Sequence, residues 1–334
     1  MDEFDLESYD YFLPPELVAS KPVMPRGEAR LLVYERKSGE IHHHKFKELA
    51  QILPPCKIIF NDTKVIKARI FGKKDSGGAV EVLLNQPVGE GVFNVFVRGK
   101  VSTGTQIRFG ENLACEVLRL CEDGSREVKF NCATSQLFSV CERIGHVPLP
   151  PYIKRADTAQ DESWYQSVFA KFDGAVAAPT ASLHFDEEAL AALRASSHEL
   201  FYLTLHVGAG TFKGVESSDI RAHKMHSEAF CMGEETARLV ASSEAILGVG
   251  TTVTRVVEFF ARRGERSGFC DLFLHPNNKP IRQNYLLTNF HLPRSTLIML
   301  VASFVGLEET KRIYAEAVKE RYRFYSYGDG MLVL

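Results

Sequence analysis

The chain predicts an α/β main domain, with a mixed or barrel-like sheet, interrupted by an inserted all-β, barrel-like module. Three observations carry that expectation. Helical and strand periods succeed one another over the first sixty residues and again after about residue 156. Between Val65 and Asn131 only short alternating runs occur, broken by Gly77-Gly78, Gly89, Gly104, Gly110 and Asp123-Gly124, the spacing of antiparallel strands joined by tight turns. The prolines at 148, 150 and 151 then forbid a helix and suit an extended return to the first domain. The expected layout is a discontinuous domain, 1–63 plus 150–334, around an insert at 64–149. A length of 334 residues fits two domains better than one core.

Element by element, Leu31–Arg36 alternates as a strand, Phe46–Leu53 reads as a short helix and Lys57–Phe60 as a buried strand. His42, His43 and His44 belong on a solvated strand edge. Ser135–Ile144 is a helix that closes the insert. Beyond the prolines come a Gly174–Ala178 strand, a helix capped by Asp186 with Glu187 and Glu188 in its first turn, and a Leu200–Leu205 strand. A Glu234–Ser243 helix, an Ile246–Val249 strand, a Thr254–Arg263 helix, a Leu286–Asn289 strand and a Glu308–Arg321 helix complete the series.

Composition excludes some classes and leaves others open. With 45% hydrophobic and 25% charged residues and no low-complexity tract, the chain reads as an ordinary globular protein. A net charge of −2 argues against a surface basic all over but permits a local basic groove. Seven dispersed cysteines without a C-x-x-C pair fit reduced thiols, and neither a signal core nor a spanning run is visible. A cytoplasmic protein that makes no membrane contact is expected.

Five apolar strand candidates end in small or Thr-rich polar clusters: IIFNDT, GAVAAPTASLHF, LFYLTLHVGAGTF, AILGVGTTVTR and YLLTNFHLPRST. Ligands in α/β folds bind beyond the carboxyl ends of strands. Asp62, Thr63, Thr180, His184, His206, Thr211, Thr251, Thr252, Asn289 and His291 are therefore expected to converge on one cleft. The last cluster is the most telling, because Thr288, Asn289, His291, Arg294, Ser295 and Thr296 stand in a strongly apolar run, where an unpartnered polar group costs roughly 1–3 kcal/mol. Gly208 and Gly210 either form a turn or let backbone approach a ligand; Gly250-Thr251-Thr252 is a helix cap or an anion site. Arg255 and Glu258 share a helix face, where they either pair with each other or offer Arg255 to a substrate carboxylate. His223 and His226 have ligand-like spacing, yet no second motif supports a metal. Basic and aromatic residues interleave at Lys64–Lys74, Pro150–Arg155 and Glu320–Gly330, so that Phe71, Tyr152, Tyr322, Phe324, Tyr325 and Tyr327 could stack RNA bases.

Together SYDYFLPPELVASKPVMPRGEARLLV, NDTKVIKARIFG, PLPPYIKR, APTASLHF, TLHVGAGTF, MHSE, GTTVTRVVE, LLTNFHLPRSTLIMLVASFVG and YRFYSYGDGML resemble the S-adenosylmethionine:tRNA ribosyltransferase-isomerase family of queuosine biosynthesis. The resemblance holds in order from residue 8 to the end. It implies transfer and isomerisation of the ribosyl group of S-adenosylmethionine onto 7-aminomethyl-7-deazaguanine at a tRNA wobble position, giving epoxyqueuosine, adenine and methionine. S-adenosylmethionine is then the co-substrate, tRNA the partner, no metal is needed and a monomer is expected. Ser182 stands where the family has Gly, Gly330 where it has Ala, and Arg282-Gln-Asn-Tyr285 replaces an acidic-glycine turn. Such chemistry needs a base for a proton beside the sulfonium, a donor toward departing adenine and a neutral amine. Candidates are His184, His206, Asn289, His291 and Asp271, with His291 or His184 as the base. Gly208, Gly210, Thr211, Thr251, Thr252, Arg255 and Glu258 are the co-substrate candidates, Arg255 with Thr251 and Thr252 anchoring the methionine or a phosphate. The competing readings are a metal-dependent hydrolase and a non-catalytic RNA-binding protein.

Overall fold

In the computed structural model, which describes residues 2–212 and 214–334 with the backbone alone of Phe212, the first alternating run forms β1 (Arg30–Glu35). It pairs antiparallel with β2 (Glu40–Lys45), whose His42, His43 and His44 lie on the outer strand of the sheet as expected. A single 3-10 turn and α1 (Leu49–Ile52) lead into β3 (Lys57–Asn61), buried on both faces. After β4 (Thr63–Val65) the chain enters the glycine-punctuated region. There β5 (Arg69–Lys74), β6 (Ala79–Gly89), β7 (Val92–Arg98), β8 (Gln106–Arg108), β9 (Ala114–Leu120) and β10 (Arg126–Phe130) close into a barrel, and α2 (Thr134–Ile144) packs on it. Inward residues such as Ile70, Val82, Val95, Ile107, Val117 and Val128 are fully buried and alternate with exposed neighbours, which is the pattern a small filled barrel requires.

Beyond α3 (Ala159–Trp164), the short β11 (Phe172–Ala175) lies parallel to β4. The expected strand at 174–178 is thus shifted toward the N-terminus, and Val176 and Ala177 instead donate their N–H groups to the Val207 carbonyl. Next come α4 (Glu187–Ala195), capped by the Asp186 side chain as expected, β12 (Leu200–Leu205) and β13 (Glu228–Met232). They are followed by α5 (Glu234–Ala241), β14 (Ile246–Val249), α6 (Thr251–Arg263), β15 (Ser267–Cys270) and β16 (Tyr285–Asn289). The C-terminal part is α7 (Thr296–Val305), α8 (Leu307–Lys319) and β17 (Gly330–Val333).

Nine strands form one mixed sheet in the order β15-β13-β12-β3-β14-β16-β17-β1-β2. The consecutive members β12, β3, β14 and β16 are all parallel, so their carboxyl ends share one edge. The main sheet is therefore mixed, and the closed barrel is the inserted sequence region. Alternation places Leu31, Val33, Leu287 and Leu332 on one face with Phe46 and Phe185, while Leu32, Tyr34, Leu286, Met331 and Val333 face α7 and α8. Helix α6 covers β14, β3 and β12 with Val253, Val256 and Val257. No helix among the described residues is long and apolar enough to cross a membrane.

Candidate active site

The ends of β3 and β12 and the start of α6 are tied together by Asn61, the last residue of β3. Its side-chain oxygen accepts from the N–H groups of Thr63 and Leu205, and its amide donates to the Leu205 carbonyl and, at 3.3 Å, to Thr252 Oγ1. Residues from β3, β12 and the start of α6 are thereby held in register. This amide was not among the sequence candidates; the signal that marks it is an Asn ending a fully buried parallel strand.

Beyond this edge lies a cleft with an empty volume of about 920 Å3, open solvent included. Thr180, Thr211, Thr251, Thr252, Asn289 and His291 line it, so four of the five strand-end clusters converge there, while Asp62 and Thr63 of the IIFNDT cluster do not reach it. Tyr152, Tyr165, Tyr325 and Ser326 complete one wall, and Arg294 and Ser295 stand at another. Arg294 and Tyr325 adopt left-handed backbone conformations, with φ of 54° and 72°, a geometry that non-glycine residues keep mainly where surroundings impose it. The Ser295 hydroxyl caps α7, as expected, and Arg294 pairs with Glu7 at 3.0 Å rather than standing free.

The N-terminus of α6 points its unpaired N–H groups at this cleft. Gly250, with φ of 92°, starts the helix three residues before the expected Thr254 and supplies no capping side chain. Aligned peptide dipoles and free N–H groups there favour a carboxylate or phosphate oxygen.

Asn289 supplies the complementary polarity. Its amide donates to the Tyr325 carbonyl at 3.0 Å and toward His184 Nε2 at 3.3 Å. These two contacts fix which way the amide points, and its oxygen is buried without a partner. Such an acceptor carries a desolvation cost unless a ligand satisfies it. His184 itself does not line the cleft; it sits behind Asn289, stacked on Phe46 with ring centroids 4.8 Å apart. Gly330 lies alongside, where an added Cβ would be 3.7 Å from His184 Nε2 and 3.2 Å from Leu31 Cδ1. Ser182 is fully buried and its hydroxyl has no hydrogen-bond partner.

His291 does line the cleft. Its Nε2 is 2.8 Å from Thr288 Oγ1, its N–H donates to the Tyr314 hydroxyl, and its carbonyl accepts from Tyr11. Burial lowers the His291 pKa to about 3, and burial followed by the Arg26 and Arg323 charges lowers that of His184 to about 4. Both rings are neutral at pH 7. As pH falls below the ordinary histidine value the unfolded chain takes up protons first, because folded His184 and His291 refuse them. Stability is therefore complete above about pH 6.5 and declines toward the folded values, by roughly 1.4 kcal/mol per unit for each ring. The urea midpoint should fall between about pH 7.5 and about pH 5, and by less in His184→Asn. An equal fall in the variant removes His184 as a source of the effect.

Five candidates lie elsewhere. His206, Gly208 and Gly210 border a second cavity on the barrel side, with His206 Nδ1 2.8 Å from Thr63 Oγ1. Burial lowers the His206 pKa, with Asp173 opposing. Asp62 accepts from the Thr204 hydroxyl at 2.6 Å between strands. Asp271 is half-exposed and lies 3.9 Å from Arg263; it lines neither cavity, which corrects its expected place in the catalytic set.

Arg255 and Glu258 require a correction too. They do not pair with each other, and Arg255 offers nothing to the cleft. Its guanidinium is bound to Glu228 at 2.5 Å and to the carbonyls of His226, Cys270 and Leu272. Glu258 pairs with Arg262 and accepts from the N–H groups of Ile281, Arg282 and Gln283, fixing the segment before β16. Both side chains hold the fold. The RNA-stacking expectation also fails for three of its six rings: Tyr322, Phe324 and Tyr327 are buried in the core, while Tyr152 and Tyr325 are part-exposed at the cleft and Phe71 is exposed. Among the described residues, the one grouping of three metal-capable side chains is Glu35, Glu40 and His42, none of which lines the cleft.

A family model described as a queuosine biosynthesis protein matches residues 6–333. The chain is 63% identical to the S-adenosylmethionine:tRNA ribosyltransferase-isomerase of Campylobacter concisus, covering 99% of this chain and 98% of that one. It is 59% identical to the protein of the same name in Campylobacter fetus subsp. fetus, over 100% and 99% of the two chains. Among solved structures, the S-adenosylmethionine tRNA ribosyltransferase of Thermotoga maritima is similar at a TM-score of 0.55 and 33% identity, over 98% of this chain and all of that one.

Proposed function

The chain belongs to the queuosine biosynthesis family, and on that premise we propose that its strand-end cleft binds S-adenosylmethionine and moves the ribosyl group to tRNA. The acceptor in this reading is 7-aminomethyl-7-deazaguanine at the wobble position, and the products are epoxyqueuosine-tRNA, adenine and methionine. The observation that carries the reading is the pairing, across one cleft, of an uncapped α6 N-terminus with the unpartnered Asn289 oxygen. S-adenosylmethionine offers a carboxylate for the first and N–H donors for the second. Thr251 and Thr252 take the part once expected of Arg255, holding the methionine carboxylate with their N–H groups and hydroxyls.

The reaction begins with loss of a proton acidified by the neighbouring sulfonium. His291 is the base in this scheme: with Nε2–H donated to Thr288, Nδ1 carries the lone pair that accepts. Burial keeps the ring unprotonated, so its lone pair is available throughout the neutral range. His184 acts one step back, as a positioning residue for Asn289. Adenine then departs as its C–N bond to the sugar breaks and it takes up a proton; the neutral amine of the acceptor base forms the new C–N bond and loses a proton, and closure of the epoxide breaks the C–S bond to release methionine. The scheme calls for no metal ion. It is assigned to a cytoplasmic monomer, with residues 1–63 and 150–334 as the catalytic unit and 64–149 as an inserted one.

Adenine release tests the proposal. Incubation with S-adenosylmethionine and tRNA bearing the aminomethyl base should liberate adenine and methionine, and omission of either substrate should abolish both. Binding of tRNA without adenine release would leave an RNA-binding protein, and loss of turnover to a chelator would favour a metal-dependent hydrolase. His291→Ala releasing adenine at the parent rate would remove His291 as the base.

A further inference from the structure

The loop that follows β12 is a wall between two cavities. Val207 and Thr211 line the strand-end cleft, whereas the alternate residues His206, Gly208 and Gly210 line a second cavity with an empty volume of about 1180 Å3. Small residues are required there, because a Cβ on Gly208 would come within 3.0 Å of Asn85 Oδ1 and one on Gly210 within 3.1 Å of the His226 ring. The wall is therefore one loop thick.

The two cavities differ in chemistry. Described residues lining the first include no carboxylate, while the second presents Asp123, Asp173 and Glu228 together with Asn94 on the barrel strand β7. Asp123 accepts from the N–H and hydroxyl of Ser125. Glu228 is committed to Arg255 and to the Gly208 N–H, which anchors the separating loop. Asp173 is half-exposed and pairs with Lys64 at 3.0 Å; a surface ion pair of this kind is worth little, so a bound ammonium can replace Lys64 there. Phe269, on the edge strand β15, is 56% exposed at the same cavity. An exposed ring beside carboxylate and amide acceptors suits a flat heterocycle that carries N–H donors and an amine, which the carboxylate binds as the ammonium and which gives up a proton before it attacks.

We propose that the second cavity holds the acceptor base of the tRNA, an amine-bearing purine-like ring, with Phe269 stacking on the ring and Asp173 receiving the amine. This rests on the reading that S-adenosylmethionine occupies the strand-end cleft. The barrel then forms the outer wall of the nucleotide site, and the loop from His206 to Thr211 presents the amine to the co-substrate.

Kinetics of adenine release in Phe269→Ala and Asp173→Asn, with both substrates varied, test the assignment. Each should raise the KM for tRNA by about tenfold, the scale of a lost base-stacking contact. The KM for S-adenosylmethionine should change by less than about twofold. Asp173→Asn should also erode the preference for tRNA carrying the amine over competitor tRNA with plain guanine at that position. Both side chains are half-exposed, so melting temperatures should stay at the parent value. A rise in the KM for S-adenosylmethionine instead, no change in either KM, or an intact preference in Asp173→Asn would each overturn the proposal. Failure of the underlying reading looks different: Thr252→Val would leave the KM for S-adenosylmethionine untouched.

Discussion

Asn289→Ala should lower the rate of adenine release by roughly 10²–10³-fold, the loss seen when a preorganised hydrogen-bonding group is removed from a transition-state site. The side chain is fully buried, yet only its amide nitrogen has partners. Its oxygen is therefore aimed rather than merely available: flipping the amide would put oxygen against the Tyr325 carbonyl and repel it. Alanine removes the acceptor and also frees the Tyr325 backbone, whose left-handed conformation the amide helps to hold. Circular dichroism and the melting curve should remain near the parent, since β16 keeps its ladder to β14 and β17. Unchanged adenine release in a folded Asn289→Ala protein would remove the residue from the site. His184→Ala should act in the same direction but more weakly, because it releases one of two contacts on the amide.

The strand-end cleft was legible because parallel strands leave a strong local trace. IIFN, LFYLTL, ILGV and YLLTN are continuous apolar runs, and each passes abruptly into polar or glycine-rich sequence where the chain leaves the sheet. Three strands outside that parallel block left no such trace. EAFCM, SGFC and GMLV are short and pair antiparallel or across long sequence gaps, with β17 inserted between β16 and β1 some forty residues away. Nothing local reports such a pairing. The second cavity was hidden for the same reason, since its walls come from the barrel, β11, β13 and β15.

Interleaved aromatic and basic residues misled in a different way. In ERYRFYSYGDG the rings of Tyr322, Phe324 and Tyr327 turn inward while Arg321 stays exposed, and Arg30 of β1 lies 3.8 Å from the Tyr322 ring centroid. Alternation of this kind is what a buried segment with snorkelling arginines requires as well as what RNA stacking would need. Only burial separates the two.

Arg255→Leu is expected to show that Arg255 is structural, by destabilising the fold by about 3–5 kcal/mol, the usual result of removing one partner of a buried ion pair. Helical spacing put Arg255 beside Glu258, but its partner is Glu228, 27 residues earlier on β13, where no helical period could place it. Burial alone would raise the Glu228 pKa; Arg255 first, and then His226 3.5 Å away, hold it below its ordinary value. Leucine leaves that carboxylate charged and enclosed, with the Gly208 N–H as its main remaining donor. It also strands the carbonyls of Cys270 and Leu272, so the β13–β15 edge should loosen first. The urea midpoint should drop sharply in Arg255→Leu, and the double variant Arg255→Leu/Glu228→Leu should recover much of the loss, because an apolar pair needs no compensation for desolvated charge. The KM for S-adenosylmethionine in the folded fraction of the double variant should stay near the parent value, as neither side chain reaches the strand-end cleft. A stable Arg255→Leu protein that had lost S-adenosylmethionine binding would return Arg255 to the substrate carboxylate and contradict the geometry described above.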